Sequence, residues 1–457
     1  MKRAIAALLL APVLAWGQSY PSPTFASVNV AQAVTFSANN ASPGAAISPN
    51  FVGWSEEFED FLNGYMTTAN TSWLGMVKLL GTNGVLRVGG STCDLSTTNS
   101  FTQAQVNALQ QFVAAMGGGW SVLFCVNLQA QNNSLSATQA GYVNNAFGSN
   151  ATIDLGNEDL DGGQFPNNAA YIAAWNSMYA AVTAAVPGVQ IDAMHDGNFQ
   201  TTRTVVPSLT PGLAGLALLD YHWYGLTTYA TTPALLYNSL VLNSTGLANF
   251  FANDNIWSTP NKTRLAETNT VGAGGVDGIS NVLASATWTL GEDILFATHG
   301  WQGTNVHNSF FQGFINGKNA TYNSFVLEPD GGIGAGADFY ALLLFSMVEG
   351  KSVLPLTVTG NYSGYSIAVQ GANGKAQILI ANTDTVNVLV AQPTQTASWT
   401  SGSVMMLTGP SCTSKTVTLG GSTVGEGGVW SPVSVPTVPN GGLVSIPPCS
   451  SALITLS

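Results

Sequence analysis

The chain has 457 residues, of which 46% are hydrophobic and only 7% charged, with 50 glycines and a formal net charge of −12. This balance excludes charge-driven disorder, and 23 acidic against 11 basic residues leave no electrostatic footprint for nucleic acid or other polyanions. The length accommodates a barrel of about 250 residues together with a smaller second domain.

In chain order, Lys2 and Arg3 precede the apolar run 4–13 and then Ala15, Trp16 and Gly17, the order of a secretory signal peptide over residues 1–17. The run falls short of the roughly 20 apolar residues of a membrane span, so a secreted, extracellular protein with no membrane partner is expected. Segment 18–45 holds a strand-like stretch at 27–36, expected to join a C-terminal sheet and bring the two ends of the chain together. From 46 to 350, short apolar runs alternate with longer amphipathic or alanine-rich stretches, the rhythm of βα units around a parallel barrel. Its eight strands are expected at 51–55, 85–88, 121–126, 152–155, 189–193, 216–221, 263–266 and 300–304. Between the second and third, Val106, Leu109, Phe112, Val113 and Met116 recur at helical spacing. Residues 171–186 read as an alanine-rich helix stopped by Pro187, and 337–345 as the last barrel helix. Beyond Gly350 the pattern changes to short alternating segments between Gly, Asn and Pro turns, so 351–457 is expected to be an all-β sandwich with strands at 377–381 and 451–456.

Cys412 and Cys449, both in the C-terminal segment, are expected to pair, whereas Cys93 and Cys125 either pair or stay as separate buried thiols. Neither the cysteines nor His195, His299 and His307 show metal-ligand spacing, and no metal or cofactor is expected. Asn-x-Ser/Thr sequons at Asn40, Asn70, Asn132, Asn150, Asn243, Asn261, Asn319 and Asn361 fit passage through a glycosylating secretory pathway.

Two glutamates stand out in a chain with so few charges. Glu158 follows Ile153, Asp154, Leu155, Gly156 and Asn157, where an apolar strand gives way to a polar loop. Glu267 follows Thr263, Arg264, Leu265 and Ala266 and precedes the glycine-rich loop 268–275. By the strand count they end strands four and seven, on the C-terminal rim where barrel enzymes hold their chemistry. Cleaving a glycosidic bond with retention needs one protonated and one ionised carboxyl about 5–5.5 Å apart across the anomeric carbon. Glu158 is therefore the candidate general acid/base and Glu267 the candidate nucleophile, with Asn157 placed to bond a hydroxyl of the reacting sugar.

Over nearly its whole length the chain resembles glycoside hydrolase family 79, the β-glucuronidases and heparanases. The resemblance rests on Leu155-Gly156-Asn157-Glu158, on Glu267-Thr268 before the glycine-rich loop, on Leu86-Arg87-Val88-Gly89-Gly90 and Tyr221-His222-Trp223-Tyr224, and on Glu57 after the first strand. It implies a (β/α)8 TIM barrel with a C-terminal β-sandwich completed by an N-terminal strand. It further implies that Tyr224 reaches the nucleophile carboxylate, that Glu57 is an acidic sugar-binding residue and that His222 orients its neighbours. Arg87 reads as a buried partner that neutralises and orients a carboxylate. Thr92 and Asp94 after strand two, and Asn198 and Gln200 after strand five, are further candidates for hydroxyl contacts. Trp223 and Trp301 fit a sugar platform or core packing equally.

The chain also departs from this pattern. Relatives place a tyrosine five residues after the nucleophile and another on the loop after strand eight, both holding a glucuronate carboxylate. Here those positions read as Gly272 and Val306, which leaves backbone N–H groups such as that of Gly274 for that task. Asp159 stands where many relatives have proline. The expectation is a monomeric retaining exo-β-glycosidase acting on carbohydrate, first of all a β-glucuronidase for glucuronide or methylglucuronide ends. The alternatives are the same machinery on a neutral β-linked sugar and a non-catalytic carbohydrate-binding protein. A heparanase-like cleft for sulfated chains would need clustered basic residues that this chain lacks.

Overall fold

The structure is a computed structural model describing residues 33–94, 100–160, 163–196, 204–226, 232–240, 247, 251, 262–310 and 320–457. The expected signal peptide, Asn198 and Gln200 lie outside the described residues.

Strand β1 (Val34–Ala38) comes first, with Val34, Phe36 and Ala38 buried and the residues between them half-exposed, the period of a strand covered on one face. Eight parallel strands then close a barrel: β2 (Val52–Glu57), β3 (Asn83–Gly89), β4 (Gly119–Val126), β5 (Ala151–Leu155), β6 (Gln190–Asp196), β7 (Leu218–Leu226), β8 (Thr263–Val271) and β9 (Thr304–Asn308). Closure leaves no open edge. The helices between them start on polar side chains, which accounts for part of the chain's Asn and Thr. Asn70, Thr102, Asn132, Asn167 and Thr232 each accept a bond from a first-turn N–H, and Thr102 with Gln105 makes the bond reciprocal.

The last barrel strand corrects the expected position at 300–304. Trp301, Gln302 and Gly303 lead into it, and only Thr304 is shared. A Cβ on Gly303 would lie 2.1 Å from the Phe51 carbonyl oxygen, so glycine lets the chain cross the barrel floor there. Asn305 and His307 face the barrel interior, while Val306 faces away and packs in the main apolar core. At the floor, the Arg264 guanidinium donates to the carbonyls of Asn50, Phe51, Gln302 and Thr304 and to Asn305 Oδ1.

The hairpin β10 (Phe325–Leu327) and β11 (Ile333–Ala335) leads into the helix Ala337–Ser346, after which the chain is all β. Strands β12 (Val353–Leu354), β13 (Leu356–Thr359), β14 (Gly364–Gln370), β15 (Ala376–Asn382), β16 (Leu389–Gln395), β17 (Ser401–Thr408), β18 (Thr418–Leu419), β19 (Thr437–Pro439), β20 (Val444–Ile446) and β21 (Ser450–Leu456) form two sheets. One has the order β13-β1-β16-β20; the other runs β12-β14-β15-β21-β17-β18, with β19 on β17. Phe36, Ile378, Ile380, Ala391, Ile446 and Ile454 pack between the sheets. The N-terminal strand therefore completes the sandwich, antiparallel to β13 and parallel to β16.

The helix Leu283–Thr298 joins the two halves. Residues 283–297 are all buried, because the helix Ala337–Ser346, the helix Pro233–Ser239, β8 and the sandwich strands β14, β15 and β21 all pack on it. It has no side-chain cap; its first N–H groups bond the carbonyls of Cys412 and Ser414 instead, beside the Cys412–Cys449 disulfide. Among the described residues twelve Asp and Glu side chains are buried, against two arginines and no lysine. Burial disfavours their charged form and pushes Asp293 and Asp338 up to about 7 and Glu292 well above the usual range, each bonded to a hydroxyl from Thr304, Ser285 or Thr268. Among the described residues no helix is long and apolar enough to cross a membrane.

Candidate active site

The Glu158 turn is built from below. A disulfide between Cys93 and Cys125 fastens the segment after β3 to β4. It places Asp94 so that its Oδ1 accepts from Leu128 N (3.1 Å) and its Oδ2 from Asn157 N (2.5 Å). Gly156 takes φ +93, and a Cβ there would sit 1.9 Å from Asp159 Oδ2, so only glycine fits. The turn also puts Glu158 itself at φ +50, a conformation that costs a residue with a Cβ roughly 1 kcal/mol. The result lifts the Glu158 side chain to the rim, 34% exposed.

Glu267 is presented by a register shift. Strand β7 pairs Tyr221 with Leu265 but His222 with Glu267, and β9 shifts against β8 over the same residues. Such irregularities re-aim side chains beside active sites. Glu267 Oε1 accepts from Tyr224 Oη (2.7 Å) and Oε2 from Arg87 Nη1 (2.6 Å). Burial alone would raise its pKa, but His307, His222 and Arg87 nearby and the Tyr224 hydrogen bond outweigh it and hold the carboxyl well below the usual carboxylate range. Tyr224, buried beside that carboxylate, is pushed well above an ordinary phenol and stays a donor.

Arg87 is fully buried. Its Nε donates to Asp154 Oδ2 (3.0 Å), Nη1 also to Ser55 Oγ (3.2 Å) and Nη2 to Asn157 Oδ1 (2.8 Å). One guanidinium thus ties both glutamate-bearing segments together. His222 Nδ1 lies 2.9 Å from Glu158 Oε1 and 3.8 Å from Glu267 Oε2. One oxygen of each glutamate and this nitrogen fall within 4.8 Å of one another. Two other donor clusters of that size occur among the described residues. In one, Cys93 and Cys125 are consumed by their disulfide; the other is Asp154, Asp192 and Asp220 inside the barrel.

The remaining candidates divide. Glu57 lies beside the site but is 5% exposed and already engaged, Oε2 by Thr92 N (3.0 Å) and Thr92 Oγ1, Oε1 by His307 Nε2 at 3.4 Å. Thr92 and Asp94 are likewise buried and committed, to Glu57 and to the Asn157 turn. Through these bonds all three brace the segments that carry the two glutamates. Gly274, at φ +86, accepts from Thr321 N (2.7 Å) and Oγ1 (2.8 Å) through its carbonyl, tying the loop after β8 to the one after β9. Trp301 is core, packed on Phe296, whereas Trp223 is half-exposed and stacked on Trp288.

Three residues were not among the candidates. Ser55 and His307 face inward on β2 and β9, and Tyr322 reaches the site from the loop after β9, its ring 6.3 Å from that of Tyr224 and 6.0 Å from that of His307. Val306 is therefore not the residue the loop after the last strand contributes: it lies on the strand with its side chain turned away, and Tyr322 is the phenol that loop supplies. The alternation Asn305, Val306, His307 was the signal for His307; Tyr322 has no periodic signal.

No protein-family model and no curated protein matches the sequence. Solved structures do match it in fold. A 4-O-α-L-rhamnosyl-β-D-glucuronidase from Fusarium oxysporum is 18% identical with a TM-score of 0.74, covering 92% of this chain and 100% of that one. A family 51 arabinofuranosidase from Xanthomonas axonopodis pv. citri is 14% identical (TM-score 0.62, 93% and 100% covered), and an α-L-arabinofuranosidase from Thermotoga maritima 13% identical (0.66, 93% and 99%). At these identities what the chain shares with them is the fold, a closed parallel barrel with a β-sandwich.

Proposed function

We propose that this protein is a secreted retaining exo-β-glycosidase that removes glucuronate or methylglucuronate from the ends of glycans. The observation that carries the reading is the pair of glutamates whose nearer carboxyl oxygens lie within 4.8 Å of each other, one at the rim and one buried and held ionised. That spacing suits direct attack; an inverting pair stands about 6.5–9.5 Å apart to admit a water. Glu267 attacks the anomeric carbon while Glu158 gives its proton to the departing glycosidic oxygen. Water, deprotonated by the same Glu158, then displaces Glu267 from the glycosyl ester. Arg87 and Tyr224 hold the nucleophile, and His222 steers Glu158.

For the sugar, Tyr322 supports glucuronate by offering a phenol beside Tyr224. The absence of a side chain at Gly272 favours the second reading, a neutral β-linked sugar. The name of the Fusarium enzyme is compatible with the first. Secretion rests on residues 1–17 and on two disulfides, which suit an oxidising compartment. Turnover of nitrophenyl β-glucuronide, glucoside, galactoside and xyloside is the test: glucuronide hydrolysed with retained configuration is expected. No turnover of any, with only binding, would favour a carbohydrate-binding protein.

A further inference from the structure

Resting on that reading, we propose that His307 is a positioning residue that works as an imidazolium clamped between Glu57 and Glu267, the second cation of the nucleophile pocket. Arg87 cannot supply that pocket alone. Its single charge is shared between Glu267 and Asp154, both bonded to it and both buried. Glu57 adds a further carboxyl with 5% exposure.

His307 stands where the missing charge would sit. Its Nε2 is 3.4 Å from Glu57 Oε1, and its Nδ1 is 3.9 Å from Glu267 Oε2 and 3.0 Å from Ser55 Oγ. Each other titratable group facing it can be named. Arg87 meets it through the shared Ser55 hydroxyl and opposes a second charge; Asp60, from the helix after β2, favours one; Tyr322 packs edge-on as a neutral phenol; His222 Nδ1 approaches the same Glu267 oxygen at 3.8 Å. Two carboxylates outweigh burial and the guanidinium, and the imidazole is raised above an ordinary histidine.

The consequence falls on the two chemical steps unequally. Glu267 loses its negative charge when it forms the glycosyl ester and regains it when water breaks that ester. A neighbouring cation makes the carboxylate a weaker nucleophile but a better leaving group. It therefore favours the second step.

The test has two arms. In the unliganded full chain, nitrogen NMR with His307 assigned by its Gln variant should show an imidazole still charged above the ordinary histidine value of about 6.5, and Glu57→Gln should lower its titration midpoint. In turnover, His307→Gln on an activated aryl glycoside should reduce kcat at least about tenfold with KM falling alongside, so that kcat/KM changes far less, the sign of a stalled glycosyl-enzyme. An imidazole neutral at pH 6, or an unshifted midpoint in Glu57→Gln, overturns the proposal, as does a kcat within twofold of wild type. If His307→Gln does not fold, the titration in wild type and Glu57→Gln decides alone, with assignment by elimination using His195, His222 and His299 variants. If the wild type cleaves no glycoside, the proposed function fails while the titration still judges the clamp.

Discussion

Replacing Asp338 by asparagine should make the protein's stability less sensitive to rising pH between about 4 and 7. Asp338 is 1% exposed, accepts from Ser285 Oγ at 2.5 Å, and is pushed by burial from an ordinary 3.8 up to about 7. Between those values the folded chain keeps a proton that the unfolded chain has released. Its contribution is thus fully present below pH 4 and lost as pH rises toward 7, at about 1.4 kcal/mol for each pH unit, or at most about 4 kcal/mol in all. Asparagine copies the shape and neutrality of the protonated acid and does not titrate. Asp338→Asn should match the wild type at pH 4, then exceed it by a margin that grows to pH 7 and levels off. Urea unfolding followed by tryptophan fluorescence from pH 4 to 8 measures the margin. A margin constant across that range would mean that Asp338 titrates alike in the folded and unfolded chain, and that burial is not what neutralises it.

Glu267→Ala should abolish turnover, with azide or formate partly restoring it and giving inverted product; rates like those of the wild type would remove the nucleophile assignment. Glu158→Ala should slow substrates with poor leaving groups far more than activated aryl glycosides, and equal loss on both would argue against an acid role. Tyr322→Phe should lower kcat/KM for glucuronide about 10- to 100-fold more than for glucoside, the worth of a hydrogen bond to a charged group. Gly272→Tyr should move the preference the other way; a Cβ there meets nothing closer than 3.8 Å, so the backbone accepts a side chain at that position, and unchanged selectivity in both variants would refute the carboxylate reading.

The barrel was legible where strands are apolar on both faces, as in β4 with Val122, Phe124 and Val126 on one face and Leu123 and Cys125 on the other, because a buried parallel strand reads as a continuous run. It was illegible at β9 for the opposite reason. There the inward face carries Asn305, bonded to Arg264 at the floor, and His307, beside Glu57 and Glu267, and an apolar criterion slides back onto Trp301. Functional demands override the pattern where the pattern would have located them. Glu158 and Glu267 could be read from their strand ends, but that Thr92 is committed to Glu57 and Asp94 to the Asn157 turn depends on a disulfide that the sequence left open. Tyr322 comes from a loop of no period at all, and only tertiary closure brings it beside Tyr224.

The parallel pairing of β1 with β16 sets the timetable of biosynthesis. Val34 lies opposite Ala391, so at roughly 5–20 residues per second the first strand emerges some 20–70 s before its partner exists. Throughout that interval the face formed by Val34, Phe36 and Ala38 is wet, and the helix Leu283–Thr298 likewise shows a bare apolar side until β14, β15 and β21 arrive. A nascent barrel carrying both exposed surfaces is at its most prone to aggregate. It is also the stage at which two unfinished chains could exchange their first strands, each sandwich being completed by the other's N-terminus.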